Sequence, residues 1–319
     1  MAHLVVGGAG YIGSHIVKKL CDLGHEVIVF DNLSSGLKEN LDERAKFIQG
    51  DILNKEDLKK VFSQKIDSIF HFAALKAAGE SMEKPGIYSE NNISGSINLF
   101  NAAISGGVKH FVFSSSAGVY GYPKTIPVDE KHETNPINYY GYTKLAIENI
   151  LEWYSKLKGI NYAALRYFNA AGYDVTGKVM GKEMDPQNLL PIIMEVADGA
   201  REKLLVFGDD YETEDGSCVR DYIHVDDLAD AHIKALKHIQ KNENIVVNLG
   251  TEKGSSVLEV IEKAEKVIGK KISFEIVERR PGDPDILISS SKMAEEKLGW
   301  KAKHSMDTIL KTMWDVYRP

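Results

Sequence analysis

Tyr140 and Lys144 stand four residues apart in Tyr140-Gly-Tyr-Thr-Lys144, a spacing that puts a phenol and an ammonium on one face of a helix, roughly 5–6 Å apart at Cβ. A phenol with an ordinary pKa near ~10 is a poor base at neutral pH, and a neighbouring cation favours its phenolate. The pair therefore reads as a general base, Tyr140, with Lys144 as its tuner. Tyr139 and Tyr142 adjoin it but lack the four-residue spacing to Lys144. A serine-rich stretch, Ser114-Ser115-Ser116, closes an apolar segment upstream. Joined to a site for a hydride carrier, these residues make a proton-and-hydride centre.

The first residues supply such a site. Gly7-Gly8-Ala9-Gly10-Tyr11-Ile12-Gly13 follows the apolar run Leu4-Val5-Val6 and precedes a segment in which Ile12, Ile16, Val17, Leu20 and Leu23 recur at helical spacing. Gly7, Gly10 and Gly13 sit where a dinucleotide needs its pyrophosphate bound by backbone N–H groups at a helix N-terminus, with no Cβ in the way. Asp31 closes the next apolar strand, at about the ~20-residue offset of an acid that hydrogen-bonds a ribose. A carboxylate there repels a 2′-phosphate, so the expected cofactor is NAD.

The elements that must hold these residues alternate. Strands are expected at Leu4–Val6, Val27–Phe30, Phe47–Gln49, Ser68–Phe72, His110–Phe113 and Tyr162–Leu165, and helices near Ile12–Leu23, Lys55–Ser63, Ile93–Ile104 and Tyr140–Leu157. That alternation predicts an α/β fold, a doubly wound parallel sheet of Rossmann type over residues 1–169. After Asn169 the regularity lapses, and Asp185-Pro186-Gln187 and Tyr211–Gly216 read as loops. Pattern resumes with a helix near Asp226–His238, a strand Ile245–Asn248 and a helix near Val257–Ile268, so segments near 222–250 are expected to return to the first domain. The remainder of 170–319 forms a smaller, partly interleaved C-terminal substrate domain.

Composition narrows the partners. A net charge of −7 over 319 residues argues against nucleic acid, whose phosphates call for a positive field. The absence of a run of ~18 apolar residues and of a charged-then-apolar leader predicts neither membrane span nor signal peptide. Two cysteines, Cys21 and Cys218, fit a reducing cytoplasm and no metal site.

The stretches GGAGYIGSH, DNLS, GDI, HFAALKAAGES, FSSSAGVYG, LRYFNAAG, VRDYIHVDDLA and RRPGD, with the Tyr140/Lys144 spacing, together resemble the extended short-chain dehydrogenase/reductase family, in its NAD-dependent epimerase/dehydratase branch. The likeness runs from Val5 to about Trp300. It implies NAD contacts from Tyr11, Ile12, Asp31, Asn32, Asp51, Ile52, Phe72, Ala73, Lys76, Asn91, Lys144 and Phe168. Ser116 and Tyr140 would flank the reacting hydroxyl, with Lys76 at the junction of cofactor and sugar. Asn169, Asn188, Leu189, Phe207, Arg220, Arg280 and Asp283 would hold a nucleotide diphosphate and its uridine. The arginines suit that role chemically, because a diphosphate favours a planar, permanently charged fork. The sequence departs from the usual pattern at Val6 and Gln187, neither a participant in the chemistry.

The implied activity is interconversion of UDP-glucose and UDP-galactose. Carbon 4 passes a hydride to NAD, and the resulting 4-keto sugar turns over before the hydride returns. A dehydratase of the same fold would carry an Asp-Glu pair where this chain has Ala117-Gly118. Epimerases of UDP-N-acetylglucosamine, UDP-glucuronate or UDP-arabinose share the mechanism, and a non-catalytic NAD-binding regulator would share the fold. Leu287, in an expected strand Ile286–Ser289, falls where the family places a wall beside carbon 2 of the sugar. The helices at 93–104 and 140–157 carry apolar residues beyond one stripe, and the resemblance implies that they pair across a two-fold axis, so a homodimer is expected.

Overall fold

A computed structural model describes residues 1–183, 186–280 and 282–318; Asp185 of the expected loop lies outside them. The strands are β1 (Ala2–Val6), β2 (Glu26–Asp31), β3 (Lys46–Gln49), β4 (Ser68–His71), β5 (His110–Ser114), β6 (Asn161–Tyr167), β7 (Asn169–Ala171), β8 (Leu204–Phe207), β9 (Val219–His224), β10 (Ile245–Leu249), β11 (Gly254–Ser256), β12 (Phe274–Val277) and β13 (Ile286–Leu287). The helices are α1 (Tyr11–Asp22), α2 (Lys55–Val61), α3 (Ala78–Glu83), α4 (Pro85–Tyr88), α5 (Gly95–Ser105), α6 (Tyr139–Lys158), α7 (Leu189–Asp198), α8 (Val225–Ile239), α9 (Val257–Ile268), α10 (Lys292–Leu298) and α11 (Met306–Tyr317).

Seven strands form one parallel sheet in the order β10-β6-β5-β4-β1-β2-β3. Its strands are apolar on both faces because helices cover both, and all five residues of β1 are buried. On one side Val5, Val29 and Phe70 meet Ile16 and Leu20 of α1, Leu228 of α8 and Trp300. On the other, Leu4, Val6 and Ile28 meet Leu58 of α2, Leu99 of α5 and Ile147 of α6. Between β1 and β4 the strand order reverses, which opens a crevice at the carboxyl ends of the strands. A third core, with Leu190, Met194, Val260 and Met313, joins α7, α9 and α11. Among the described residues no helix is long and apolar enough to cross a membrane.

Two expectations are corrected. The helix expected at 93–104 is α5, Gly95–Ser105, and it is preceded by a π turn, Ser89–Ser94, and by α3 and α4. Strand β13 stops at Leu287, because Ser289 leaves β9 to form an isolated bridge with Val128.

Candidate active site

Gly7 leaves β1 in the left-handed region, φ 79°, and a Cβ there would lie 2.6 Å from Ala73 N. Gly13 permits α1 to rest on the turn, since its Cβ would stand 2.2 Å from Gly7 O. Behind Gly10, α1 starts with no side-chain cap and no acid in its first turn, so its leading N–H groups are free to face an anion. At the end of β2, Asp31 accepts from Ala9 N (3.0 Å) and Leu33 N (2.8 Å), fixing its carboxylate at the rim of the turn. Asn32 donates to Asp51 (2.9 Å), while Ile52 packs where a Cβ on Gly95 would be 2.6 Å away.

Phe72 and Ala73 leave β4 with both N–H groups donating to Val6 O. Lys76 is ion-paired with Glu183. Asn91 donates to Asn92 (2.9 Å), whose buried amide braces Leu75 and donates to Thr143 Oγ1 (3.1 Å). The Tyr11 hydroxyl donates to Gly172 O, and Phe168 packs with Ala117 and Val119. The cradle thus fits a dinucleotide: a turn that a Cβ would fill, an open helix end and a carboxylate at the ribose position.

Across the crevice, Ser116 follows β5 in extended conformation and its hydroxyl accepts from Gly118 N (3.1 Å). The start of α6 is held from three directions. Asn138 Oδ1 accepts from Gly141 N (2.8 Å) and Ser81 Oγ from Tyr140 N (3.0 Å). Gly141 approaches Gly118 so closely that a Cβ would sit 2.3 Å from its carbonyl oxygen. Tyr140 is thereby set beside Ser116, whose hydroxyl eases the ionisation of the phenol. Lys144 is buried and donates to Ser114 O (2.8 Å), 5.7 Å from the Tyr140 ring centre.

Burial opposes the expected tuning in the protein alone. It pushes the Tyr140 phenol up to about 12, the Ser116 hydroxyl opposing it. Burial likewise pulls the Lys144 ammonium down to about 7, with Glu148 opposing. Desolvation outweighs the neighbouring charge in the protein alone.

On the C-terminal side, Asn169 donates to Asp221 O (3.0 Å). Asn188 precedes α7 without capping it, and Leu189 begins that helix with no acid in its first turn. Phe207 lies under the Arg280 guanidinium at 4.3 Å. Arg220 donates to Pro284 O (2.8 Å) and pairs with Asp283 at 3.3 Å. Leu287 pairs with Arg220 in register and packs on the cluster containing Ala117 and Phe168.

Reasoning from sequence missed Ser81, Gly141, Glu148, Arg166 and Asp221. The buried Asp221 carboxylate accepts from Thr251 Oγ1 (2.6 Å) and Ser289 Oγ (2.6 Å), tying β9 to the strand end that carries Leu287. An acid within an apolar strand was its one available signal.

A dinucleotide cradle and a Ser/Tyr/Lys set at the carboxyl end of one Rossmann sheet define a nicotinamide-dependent enzyme of the short-chain dehydrogenase/reductase class. More closely, the chain belongs to the NAD dependent epimerase/dehydratase family, which residues 3–250 match. It is 47% identical over 322 residues to the UDP-glucose 4-epimerase of Lactobacillus helveticus, covering 100% of this chain and 97% of that one. A crystal structure of a UDP-glucose 4-epimerase superimposes with TM-score 0.97 at 43% identity, covering 99% of this chain and 97% of that one. The Bifidobacterium longum enzyme, in complex with NAD+ and UDP, gives 0.94 at 39% identity, covering 99% and 98%.

Proposed function

We propose that the protein interconverts UDP-glucose and UDP-galactose, with NAD as its resident cofactor. The observation that carries this is the placement of Tyr140 and Ser116 across one crevice from the Gly7–Gly13 cradle. Held by the Gly7–Gly13 turn and Asp31, NAD would supply a reversible hydride acceptor for carbon 4. Tyr140 takes the proton of the 4-hydroxyl and gives it back, while Ser116 hydrogen-bonds the same oxygen. Lys144 contributes positive charge, and the cationic nicotinamide adds to it, offsetting the burial that raises the phenol. The open end of α7 at Asn188 and Leu189 suits the diphosphate. Asn169, Arg220, Asp283 and the Arg280–Phe207 stack hold the nucleotide, so that the keto sugar can turn while its UDP stays anchored. Gly10, Tyr11, Ile12, Asp31, Asn32, Asp51, Ile52, Phe72, Ala73, Lys76, Asn91 and Phe168 line the cofactor's path. Residues 1–169, with 222–250, form the cofactor domain, and the rest of 170–319 forms the substrate domain. The test is conversion of UDP-galactose to UDP-glucose by the purified protein without added NAD; no conversion even with NAD supplied would overturn the assignment.

Leu287 favours partial admission of N-acetylated sugars, being smaller than a tyrosine and larger than a serine. Overpacking costs about 1–3 kcal/mol. Leu287→Tyr is therefore expected to lower turnover of UDP-N-acetylglucosamine, relative to UDP-glucose, by roughly tenfold. An unchanged ratio between the two substrates would remove Leu287 from the sugar wall.

The protein acts in the cytoplasm as a homodimer. Exposed Tyr142, Trp153 and Leu157 on α6 form an apolar surface that a second copy would cover. Light scattering at micromolar concentration is expected to give twice the 35.4 kDa chain mass, and a single-chain mass would contradict the dimer.

A further inference from the structure

Lys144 carries the charge on which Tyr140 depends, and burial works against it. From β4, His71 lies 5.8 Å from the Phe113 ring, and burial pulls its imidazole down to about 3, which leaves it neutral. β5 contributes the Phe113 ring at 5.0 Å and the Ser114 carbonyl, and β6 stands behind them with Tyr167, bonded to the Ser114 hydroxyl, and Arg166, paired with Glu148. Along α6 itself the neighbours are Tyr140 and, one turn further on, Glu148.

Glu148 is the carboxylate in this set, and it is 5% exposed. Arg166 grips it with two parallel bonds, Nε to Oε1 (2.9 Å) and Nη2 to Oε2 (2.5 Å). The Ser115 hydroxyl donates to the same Oε1. Ser115 stands between Ser114, whose carbonyl accepts from Lys144, and Ser116. A third Arg166 nitrogen, Nη1, donates to the Tyr120 hydroxyl (3.1 Å), which donates to Asn248 (2.7 Å). A buried ion pair adds little net stability, because desolvating both charges offsets their attraction. Stability therefore gives no reason to bury two charges behind the catalytic serine strand, whereas a buried ammonium needs a fixed counter-charge.

We propose that Glu148 is a positioning residue of the proton-transfer site: clamped by Arg166 and Ser115, it supplies the fixed negative charge that the buried Lys144 ammonium faces. This rests on Tyr140 and Lys144 being the proton-transfer pair. Loss of that charge lets Lys144 shed its proton at lower pH and leaves the Tyr140 phenolate less supported.

The pH dependence of kcat in the holoenzyme tests it. The alkaline limb, where Lys144 loses its proton, is expected to move down by about one pH unit in Glu148→Gln. KM for the UDP-sugar stays within about twofold, because Glu148 does not touch substrate. Glu148→Gln strands the Arg166 charge, so Glu148→Gln/Arg166→Met removes both members of the clamp and leaves no unpaired arginine; it is expected to fold and to move the alkaline limb in the same direction. Tyrosinate absorbance, with Tyr140→Phe as the blank, gives a readout independent of turnover: Tyr140 ionises at higher pH in both variants. An unmoved profile and an unmoved titration in the folded double variant overturn the proposal even if kcat falls. Near-native turnover by Tyr140→Phe would instead overturn the site assignment beneath it.

Discussion

Replacing Tyr140 by phenylalanine is expected to leave a folded protein that retains its cofactor and loses roughly 10²–10⁴-fold in turnover, the usual contribution of a positioned acid–base group. The substitution removes one oxygen and keeps the ring. Its structural cost is the polar interaction of the phenol with Ser116, at most about 1 kcal/mol. No neighbouring phenol is placed to take over. The Tyr139 hydroxyl is engaged with Ser89 at 2.6 Å, the Tyr167 hydroxyl is bonded to Ser114, and Tyr142 points outward, 48% exposed. Steady-state rates beside a melting curve separate the effects: a fall in kcat at nearly constant melting temperature is the expected pattern, and a loss under tenfold would leave another group as the base.

Gly7→Ala is expected to have the second largest effect, on cofactor retention. Its backbone lies at φ 79°, and an added Cβ would meet Ala73 N at 2.6 Å and Ala73 Cα at 3.0 Å. Both are backbone atoms of a strand end and cannot swing aside. The left-handed conformation costs a non-glycine residue about 1–2 kcal/mol, and overpacking adds about 1–3 kcal/mol. For a chain of this size that is a fall of about 3–8 °C in melting temperature. Relief comes by shifting the turn away from Ala73, into the space the pyrophosphate needs. The variant should therefore purify without NAD and show no epimerase activity until NAD is added in large excess; purification with a full complement of NAD would show that the turn tolerates a side chain.

The parts legible in the sequence are those whose signal is local. The Gly7–Gly13 turn, the apolar face of α1 and the Tyr140/Lys144 spacing all sit within one element or its cap, and β1 to β6 announced themselves as short apolar runs. The region beyond Asn169 was harder to read because its strands are short and pair with remote partners: β7 and β13 on β9, and β8 on β12. Ser81 caps Tyr140 from 59 residues away, and no periodicity encodes such a contact. The direction of tuning was hidden for a different reason. A lysine one turn from a tyrosine suggests a low phenol pKa, but the burial that opposes it is set by packing from β4, β5 and β6. Glu148 and Arg166 illustrate both limits, since each looks like an ordinary charged residue until the fold joins them behind Ser115.

Hydride transfer at carbon 4 is most directly tested by turning over UDP-galactose that carries deuterium on that carbon, in ordinary water, with the protein as purified. With Tyr140 handling only the hydroxyl proton, the deuterium should leave and return without meeting solvent, and UDP-glucose should retain it at carbon 4. Replacement of the label by solvent hydrogen would mean that the carbon loses a proton rather than a hydride, and would contradict the assigned chemistry.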